Sequence, residues 1–164
     1  MKNNGKKIVI YYSYTGHTKM IAEKIKEILQ CDILELKPVK KYSTNYDLVV
    51  EDEQNNSSTG KIVEIEKINI DLEEYDEIIL GTPVWWYSIA PVVRAFLKEN
   101  NLSGKKIIPF ATNAGWLGKT FNEIKELCQG SRVEKEKSIL FTENYKENKL
   151  MTPFSEIKEW IESI

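Results

Sequence analysis

Near the start of the chain an apolar run leads directly into a loop of hydroxyl-bearing residues, Ile8-Val9-Ile10-Tyr11-Tyr12-Ser13-Tyr14-Thr15-Gly16-His17-Thr18. Its first five residues are β-branched or aromatic, which predicts a strand that is buried on both faces. Behind the loop, apolar residues recur at helical spacing: Ile21, Ala22, Ile25, Ile28 and Leu29. A buried strand followed by an amphipathic helix is typical of an α/β domain.

This alternation continues along the chain. Four more short apolar runs predict strands, at residues 33–36, 78–80, 107–111 and 139–141. The segments between and after them carry apolar residues at helical spacing: Val93, Phe96, Leu97, Phe121, Ile124, Leu127, Cys128, Phe154, Ile157, Trp160 and Ile161. Continuous apolar strands separated by amphipathic helices predict a five-stranded parallel sheet with helices on both faces, a three-layer α/β sandwich.

Three segments are less regular. Proline cannot donate to a sheet, so Pro109 predicts a bulge or a strand end within the fourth strand. Between residues 40 and 74 we expect a short helix over Tyr46–Glu53, a loop over Asn55–Gly60 and a minor strand at Ile62–Ile65. Thr152 and Pro153 suit the N-cap and first position of the last helix, which we expect to bury Phe154, Ile157, Trp160 and Ile161.

Composition narrows the function classes. The 164 residues fit a single domain, 1–164, and 41% hydrophobic with 29% charged residues is ordinary globular composition. A formal net charge of −2 is too balanced to indicate nucleic acid as a partner. No run approaches the ~18 apolar residues of a membrane span, and the first apolar run is too short for a signal peptide. We therefore expect a cytoplasmic protein without membrane or nucleic-acid partners.

Metal-binding residues are scarce. The chain has one histidine, His17, and two distant cysteines, Cys31 and Cys128, so no zinc-ligand spacing exists. Two isolated thiols are most simply reduced core residues, and the alternative is a disulfide or a redox pair. We expect no metal site.

Ligands of open parallel sheets bind beyond the carboxyl ends of the strands. The loop after the first strand, Ser13 to Thr18, has three hydroxyls and a glycine directly before a helix. Hydroxyls, free backbone N–H groups and the helix dipole together predict a site for one phosphate group. The alternative is that a serine or threonine merely caps the helix.

Aromatic residues follow the third strand, in Thr82-Pro83-Val84-Trp85-Trp86-Tyr87. Successive side chains of an extended segment point in opposite directions, so at least one ring should lie at the surface and suit a planar ligand. Aromatic stacking on a base-sized ring is worth about 1–3 kcal/mol. The alternative is that Trp85 and Trp86 only pack under a neighbouring loop.

Small residues follow the fourth strand, in Thr112-Asn113-Ala114-Gly115-Trp116. They would let the backbone approach a ligand edge, and Trp116 is a third candidate stacking surface. The next residues, Gly118-Lys119-Thr120, look like the end of a Walker A loop, but Asn113 stands where its first glycine is required.

Other α/β chemistries lack their required residues. Ser13 and Tyr14 stand where a receiver domain needs paired acids, and Gly16 is alone where a Rossmann loop needs three glycines. A serine hydrolase would need Gly-x-Ser-x-Gly, and Cys128 with Arg132 does not have cysteine-phosphatase spacing. We therefore expect no catalytic side chain.

The first two loops carry a resemblance to a known family. Ser13 to Thr18 resembles the [Ser/Thr]-x-Thr-Gly-x-Thr phosphate loop of the flavodoxin family, and Thr82 to Trp86 with Ala90-Pro91 resembles the flavin loop of short bacterial flavodoxin-like proteins. The resemblance covers essentially the whole chain. It implies the strand order 2-1-3-4-5, for which flavodoxin is a standard example.

It also implies non-covalent FMN, with the phosphate at Ser13 to Thr18 and the isoalloxazine between the Thr82–Tyr87 loop and the Thr112–Gly118 loop. The implied function is a low-potential electron carrier that meets redox partner proteins. The alternative is an NAD(P)H-dependent FMN quinone reductase, and a third hypothesis is a binding module that has lost its flavin. Two features depart from well-known flavodoxins: the charge is only weakly acidic, and the loop after strand four lacks the tyrosine that often covers the flavin.

Overall fold

The computed structural model describes residues 5–50, 53, 62–143 and 149–164. Its strands are β1 (Lys7–Tyr11), β2 (Asp32–Glu35), β3 (Glu77–Trp85), β4 (Ser88–Ile89), β5 (Lys106–Asn113), β6 (Arg132–Val133) and β7 (Lys137–Leu140). Its helices are α1 (His17–Leu29), α2 (Pro91–Glu99), α3 (Thr120–Leu127) and α4 (Phe154–Glu162), with a 3₁₀ turn at Leu72–Glu74.

The sheet has the order β2-β1-β3-β5-β6. β6 pairs with the start of β5, and β7 pairs with the second half of β5. Strands β1, β2, β3, β5, β6 and β7 are parallel, whereas β4 pairs with the end of β3 in the antiparallel sense. The predicted parallel sheet with the order 2-1-3-4-5 is confirmed, with two short strands added to it.

Two cores lie on opposite faces of the sheet. Val9, Ile79 and Ile108 pack with residues of α1 and α4, whereas Ile8, Ile78 and Ile107 pack with residues of α2 and α3. Neighbouring residues of one strand point to opposite faces, so this division follows from the continuous apolar runs. The three-layer architecture is therefore also confirmed.

Pro109 lies inside β5 in regular register with Leu80, so the predicted bulge or strand end is wrong. The carbonyls of Lys105, Ile107 and Asn113 accept hydrogen bonds from the β6 and β7 side. The backbone groups of every second residue face the same edge of a strand, so the nitrogen of Pro109 also faces that side. The neighbouring chain is interrupted there, between β6 and β7. The proline therefore stands at a point where no sheet donor is needed.

The segment after β2 differs in part from expectation. Residues 46–50 and residue 53 are helical, and the Asn45 side chain accepts from the N–H groups of Asp47 and Leu48. Residues 51–52 and the predicted loop 55–60 lie outside the described residues. The predicted minor strand is reduced to one bridge between Pro38 and Ile65.

The last helix also begins differently. It starts at Phe154, and the hydroxyl of Thr152 accepts from the N–H of Leu140 instead of capping the helix. Phe154 is 42% exposed, so its predicted burial is wrong. Both cysteines are free thiols, Cys128 in the core and Cys31 half-buried. In the described part of the chain, no helix combines the length and apolarity needed to cross a bilayer.

Candidate functional site

The loop after β1 forms a tight turn into α1. Gly16 has φ 98°, in the left-handed region, and its N–H donates to Ser13 Oγ at 3.2 Å. Among the described residues no side chain caps α1, and its first turn has no acidic residue. The alternative that a serine or threonine caps this helix is therefore wrong. No acidic residue of the first turn offsets the positive end of the helix dipole.

Beneath this loop, Thr18 is buried, and its hydroxyl lies 2.7 Å from the hydroxyl of Thr112 at the end of β5. The contact joins the first loop to the fourth predicted strand end. The structure therefore brings two of the three predicted loops together through their threonines.

The aromatic segment after the third predicted strand is a β-hairpin. β3 continues to Trp85, and Trp85 pairs with Ser88 across the two-residue turn Trp86–Tyr87. Trp86 and Tyr87 have φ of 52° and 63°, a left-handed backbone that large side chains rarely adopt. Such a conformation costs on the order of 1–3 kcal/mol per residue and persists where the surroundings hold it.

The aromatic rings have different environments. Trp85 packs against Tyr12, Tyr14 and Tyr42, with ring centroids 5.9, 5.9 and 5.1 Å away. Burial, with neighbouring charges, raises the pKa of Tyr12 and of Tyr42 above the ordinary range, so both phenols are neutral at physiological pH. Trp85 therefore packs within this tyrosine cluster, and it also lines the cleft beside the hairpin.

Two exposed rings stand at the surface instead. Tyr87 is 55% exposed and Trp116 is 61% exposed, and their centroids lie 6.5 Å apart in an edge-to-face arrangement. They come from the hairpin and from the loop after β5. Exposed aromatic pairs of this kind suit contact with a planar molecule.

The loop after β5 is fixed against the hairpin. The N–H of Lys119 donates to the carbonyl of Tyr87 at 2.8 Å. A Cβ on Gly118 would lie 2.4 Å from that carbonyl oxygen, and Gly118 has φ 54°, so glycine is required there. The Gly118-Lys119-Thr120 sequence is thus explained by packing, and not by a nucleotide loop.

A cleft of about 340 Å³ lies between these elements. Most of the predicted site residues line it: Tyr14, Thr15, His17, Pro83, Val84, Trp85, Trp86, Tyr87, Thr112, Asn113, Ala114 and Trp116. Five predicted residues do not: Ser13, Gly16, Thr18, Thr82 and Gly115. The structure therefore assembles all three predicted loops around one cleft, within the size range of small-molecule sites.

Comparisons with known proteins give the family. The family model for flavodoxin matches residues 6–164. The chain belongs to the flavodoxin family. Its sequence matches no functionally curated protein.

Solved structures of flavoproteins are similar to this flavodoxin over most of its length. A candidate flavoprotein from Bacteroides uniformis is 26% identical, with a TM-score of 0.78, over 98% of this chain and 99% of that one. A flavoprotein from Lactobacillus acidophilus, solved in complex with FMN, is 28% identical, with a TM-score of 0.64, over 82% of this chain and 92% of that one. The resemblance stated from the sequence is thus confirmed at the level of family and fold.

The structure adds residues to the flavodoxin cleft that the sequence did not indicate: Tyr46, Val49, Val50, Glu53, Phe141, Thr142 and Glu143. The ring of His17 stacks on Phe141 with centroids 4.0 Å apart and planes within 4°. Phe141 follows β7 directly, so the rule that ligands bind at strand ends could have found it.

The charge of the cleft is one-sided. Among the described residues that line it, none is lysine or arginine, while Glu53 and Glu143 are acidic.

The hydroxyl of Thr82 is buried behind the cleft, where it donates to the Pro83 carbonyl at 2.8 Å and accepts from the Ala90 N–H at 3.2 Å. Thr82 therefore shapes the hairpin and does not reach a ligand.

Proposed function

We propose that this flavodoxin binds FMN non-covalently and acts as a low-potential, one-electron carrier between redox partner proteins. The observation that carries the proposal is the shared cleft. The hydroxyl loop at the N-terminus of α1 and the exposed rings of Tyr87 and Trp116 face the same space. The flavoprotein from Lactobacillus acidophilus, solved in complex with FMN, supports the choice of ligand.

The residues present fit a flavin mononucleotide. Thr15 lines the cleft beside the positive end of the α1 dipole, and Gly16 supplies the left-handed turn, with φ 98°. Hydroxyl and backbone donors at a helix N-terminus suit a single phosphate. The Trp86–Tyr87 turn and the Asn113–Trp116 segment would hold the ring system between them.

When bound, FMN supplies the electron-accepting ring, and the protein sets its electronics. Glu53 and Glu143 line the cleft, and none of its other described lining residues is lysine or arginine. Negative charge beside a ligand penalises added negative charge on that ligand. Each ~1.4 kcal/mol of penalty shifts a one-electron potential by about 59 mV, so these carboxylates would favour a low potential.

Optical titration of the purified protein tests the cofactor. We expect a yellow protein, or a colourless one that takes up FMN with quenching of tryptophan fluorescence. A protein that neither carries nor binds FMN would contradict the proposal.

A redox experiment then tests the carrier role against the quinone reductase alternative. For a carrier we expect two separated one-electron potentials and slow reduction by NADH or NADPH. Rapid reduction by either nucleotide, with multiple turnovers of a quinone, would instead establish the reductase.

A further inference from the structure

We infer that the buried ion pair between Arg94 and Glu123 positions the Trp86–Tyr87 turn, and so sets the ring-binding side of the cleft. The pair joins α2 to α3 beneath the β3–β4 hairpin. The consequence for flavin binding rests on the proposed function, whereas the positioning of the turn does not.

The pair has the geometry of a bidentate contact. Arg94 Nε lies 2.9 Å from Glu123 Oε2, and Arg94 Nη2 lies 3.1 Å from Glu123 Oε1. Arg94 is 1% exposed, the largest of the fully buried side chains in the described chain. Two parallel N–H···O bonds fix the orientation of both groups as well as their separation.

Both members of the pair also bind the hairpin backbone. Glu123 Oε1 accepts from the N–H of Ile89 at 3.2 Å, and Arg94 Nη2 lies 3.4 Å from the carbonyl of Ile89. Ser88 directly precedes Ile89, and its hydroxyl donates to the carbonyl of Trp85 at 3.0 Å. The ion pair is therefore connected to the residues that open and close the two-residue turn.

The turn needs such support. Trp86 and Tyr87 have left-handed backbone angles, and the returning strand β4 has only two residues to hold them. A two-residue strand contributes few ladder hydrogen bonds, so tertiary contacts must maintain the strained conformation. Both residues of β4 contact the ion pair, Ile89 through its backbone and Ser88 through its hydroxyl, which lies 3.5 Å from Arg94 Nη2.

The same pair reaches the opposite wall of the turn through α3. Glu123 lies one helical turn after Lys119, whose N–H donates to the Tyr87 carbonyl at 2.8 Å. The backbone N–H of Glu123 itself donates to the Lys119 carbonyl at 2.8 Å. The hairpin is thus held on two sides by α3, once through Ile89 and once through Tyr87.

A buried ion pair is a costly way to obtain stability alone. Replacing both members by apolar residues of similar volume is often neutral or stabilising, whereas removing one member leaves an uncompensated buried charge. This contrast separates positioning from stability. The double variant Arg94→Met with Glu123→Leu removes the hairpin contacts of the pair without leaving a buried charge.

Two measurements on the full chain test the inference, with Ile161→Val in α4 on the other face of the sheet as the control for altered stability. The first is amide hydrogen exchange at Lys119, which reports its bond to Tyr87. The second is the dissociation constant of riboflavin and of FMN. In the double variant we expect Lys119 exchange to rise about tenfold or more, and both dissociation constants to rise by one common factor of about ten.

The conservative variant Glu123→Asp, which keeps the charge and shortens its reach, should fall between the wild type and the double variant. Wild-type Lys119 exchange in the double variant would overturn the inference, whether or not the protein binds flavin. Exchange and affinity that change only as much as in Ile161→Val would also overturn it. A wild type that binds neither riboflavin nor FMN would contradict the proposed function, while Lys119 exchange would still decide the positioning role.

Discussion

The hydroxyl groups of Thr18 and Thr112 lie 2.7 Å apart beneath the cleft and join the N-terminus of α1 to the end of β5. Both residues are buried, so neither hydroxyl can exchange this bond for water at no cost. The contact fixes the loop that we assign to a phosphate group against the strand end that bears the ring-binding segment. One buried contact therefore holds the proposed phosphate-binding loop and the proposed ring-binding segment together.

We predict that Thr112→Val lowers the free energy of unfolding by about 1–3 kcal/mol, because it leaves the Thr18 hydroxyl buried without this partner. Urea titration followed by far-UV circular dichroism measures the change. The double variant Thr18→Val with Thr112→Val should recover most of it, since removing both polar groups is nearly neutral. A double variant as unstable as the sum of the single variants would contradict this account.

Gly81 lies where a larger side chain would clash with the adjacent strand. A Cβ on this residue would lie 2.3 Å from Cζ of Phe110 on the adjacent strand. We expect Gly81→Ala to destabilise the protein by about 1–3 kcal/mol through overpacking. A thermodynamic cycle with Phe110→Leu measures the coupling, and Gly81→Ala should cost less in that background. Equal costs in both backgrounds would place the clash elsewhere.

Thr15 is the sharpest test of the phosphate assignment. Loss of a hydrogen bond to a charged group is worth about 1.5–3 kcal/mol, so Thr15→Ala should weaken FMN binding roughly tenfold or more. Riboflavin lacks the phosphate, and its affinity should change little. Ser131→Ala is a matched control, since that hydroxyl donates to the carbonyl of Cys128 outside the cleft. Equal weakening of FMN and riboflavin would mean that the loop does not bind the phosphate.

Glu77 gives a pH-dependent prediction. Its side chain is 15% exposed and lies 3.3 Å from the Lys7 ammonium and 3.1 Å from that of Lys106. Burial acts to raise the pKa of Glu77, but the hydrogen bonds and charges of Lys106 and Lys7 outweigh it, and the pKa lies below its usual 4.5. The stabilisation is thus fully present above pH 4.5 and is lost as the pH falls through the lowered pKa.

We therefore expect Glu77→Gln to be less stable than the wild type at pH 7, with a difference that shrinks as the pH falls below about 4.5. Urea unfolding between pH 3 and 7 measures it. Glu27→Gln is the control, because its pair with Lys24 is exposed and such pairs contribute about 0–1 kcal/mol. A constant difference between Glu77→Gln and the wild type across this range would exclude a contribution from titration of the carboxylate.

The buried strands and the hydroxyl-rich loop before α1 were predictable because their signals are local. Residues 8–12 and 107–111 are apolar throughout, and only a strand covered on both faces explains such runs. The loop from Ser13 to Thr18 was likewise predictable, since hydroxyls and a glycine before a helix have a direct chemical meaning. These signals were enough to indicate all three loops around the cleft.

The hairpin was not predictable from its own residues. A two-residue turn with left-handed backbone normally shows as Asn-Gly or Asp-Gly, and here it is Trp86-Tyr87. The pairing of Trp85 with Ser88 and the approach of Gly118 to Tyr87 hold it in place. The burial of Arg94 was also not predictable, because a lone arginine on a helix is ordinarily a surface residue.

The sequence by itself determined the strands, the parallel sheet and the hydroxyl-rich loop before α1, because buried apolar runs and helix N-termini act over a few residues. Only the tertiary structure decided which of the aromatic rings that line the cleft pack into a cluster and which stay exposed. Trp85 turns into the Tyr12–Tyr14–Tyr42 cluster, while Trp116 remains exposed beside Tyr87. That choice depends on contacts between segments far apart in the chain, and residue type alone does not carry it.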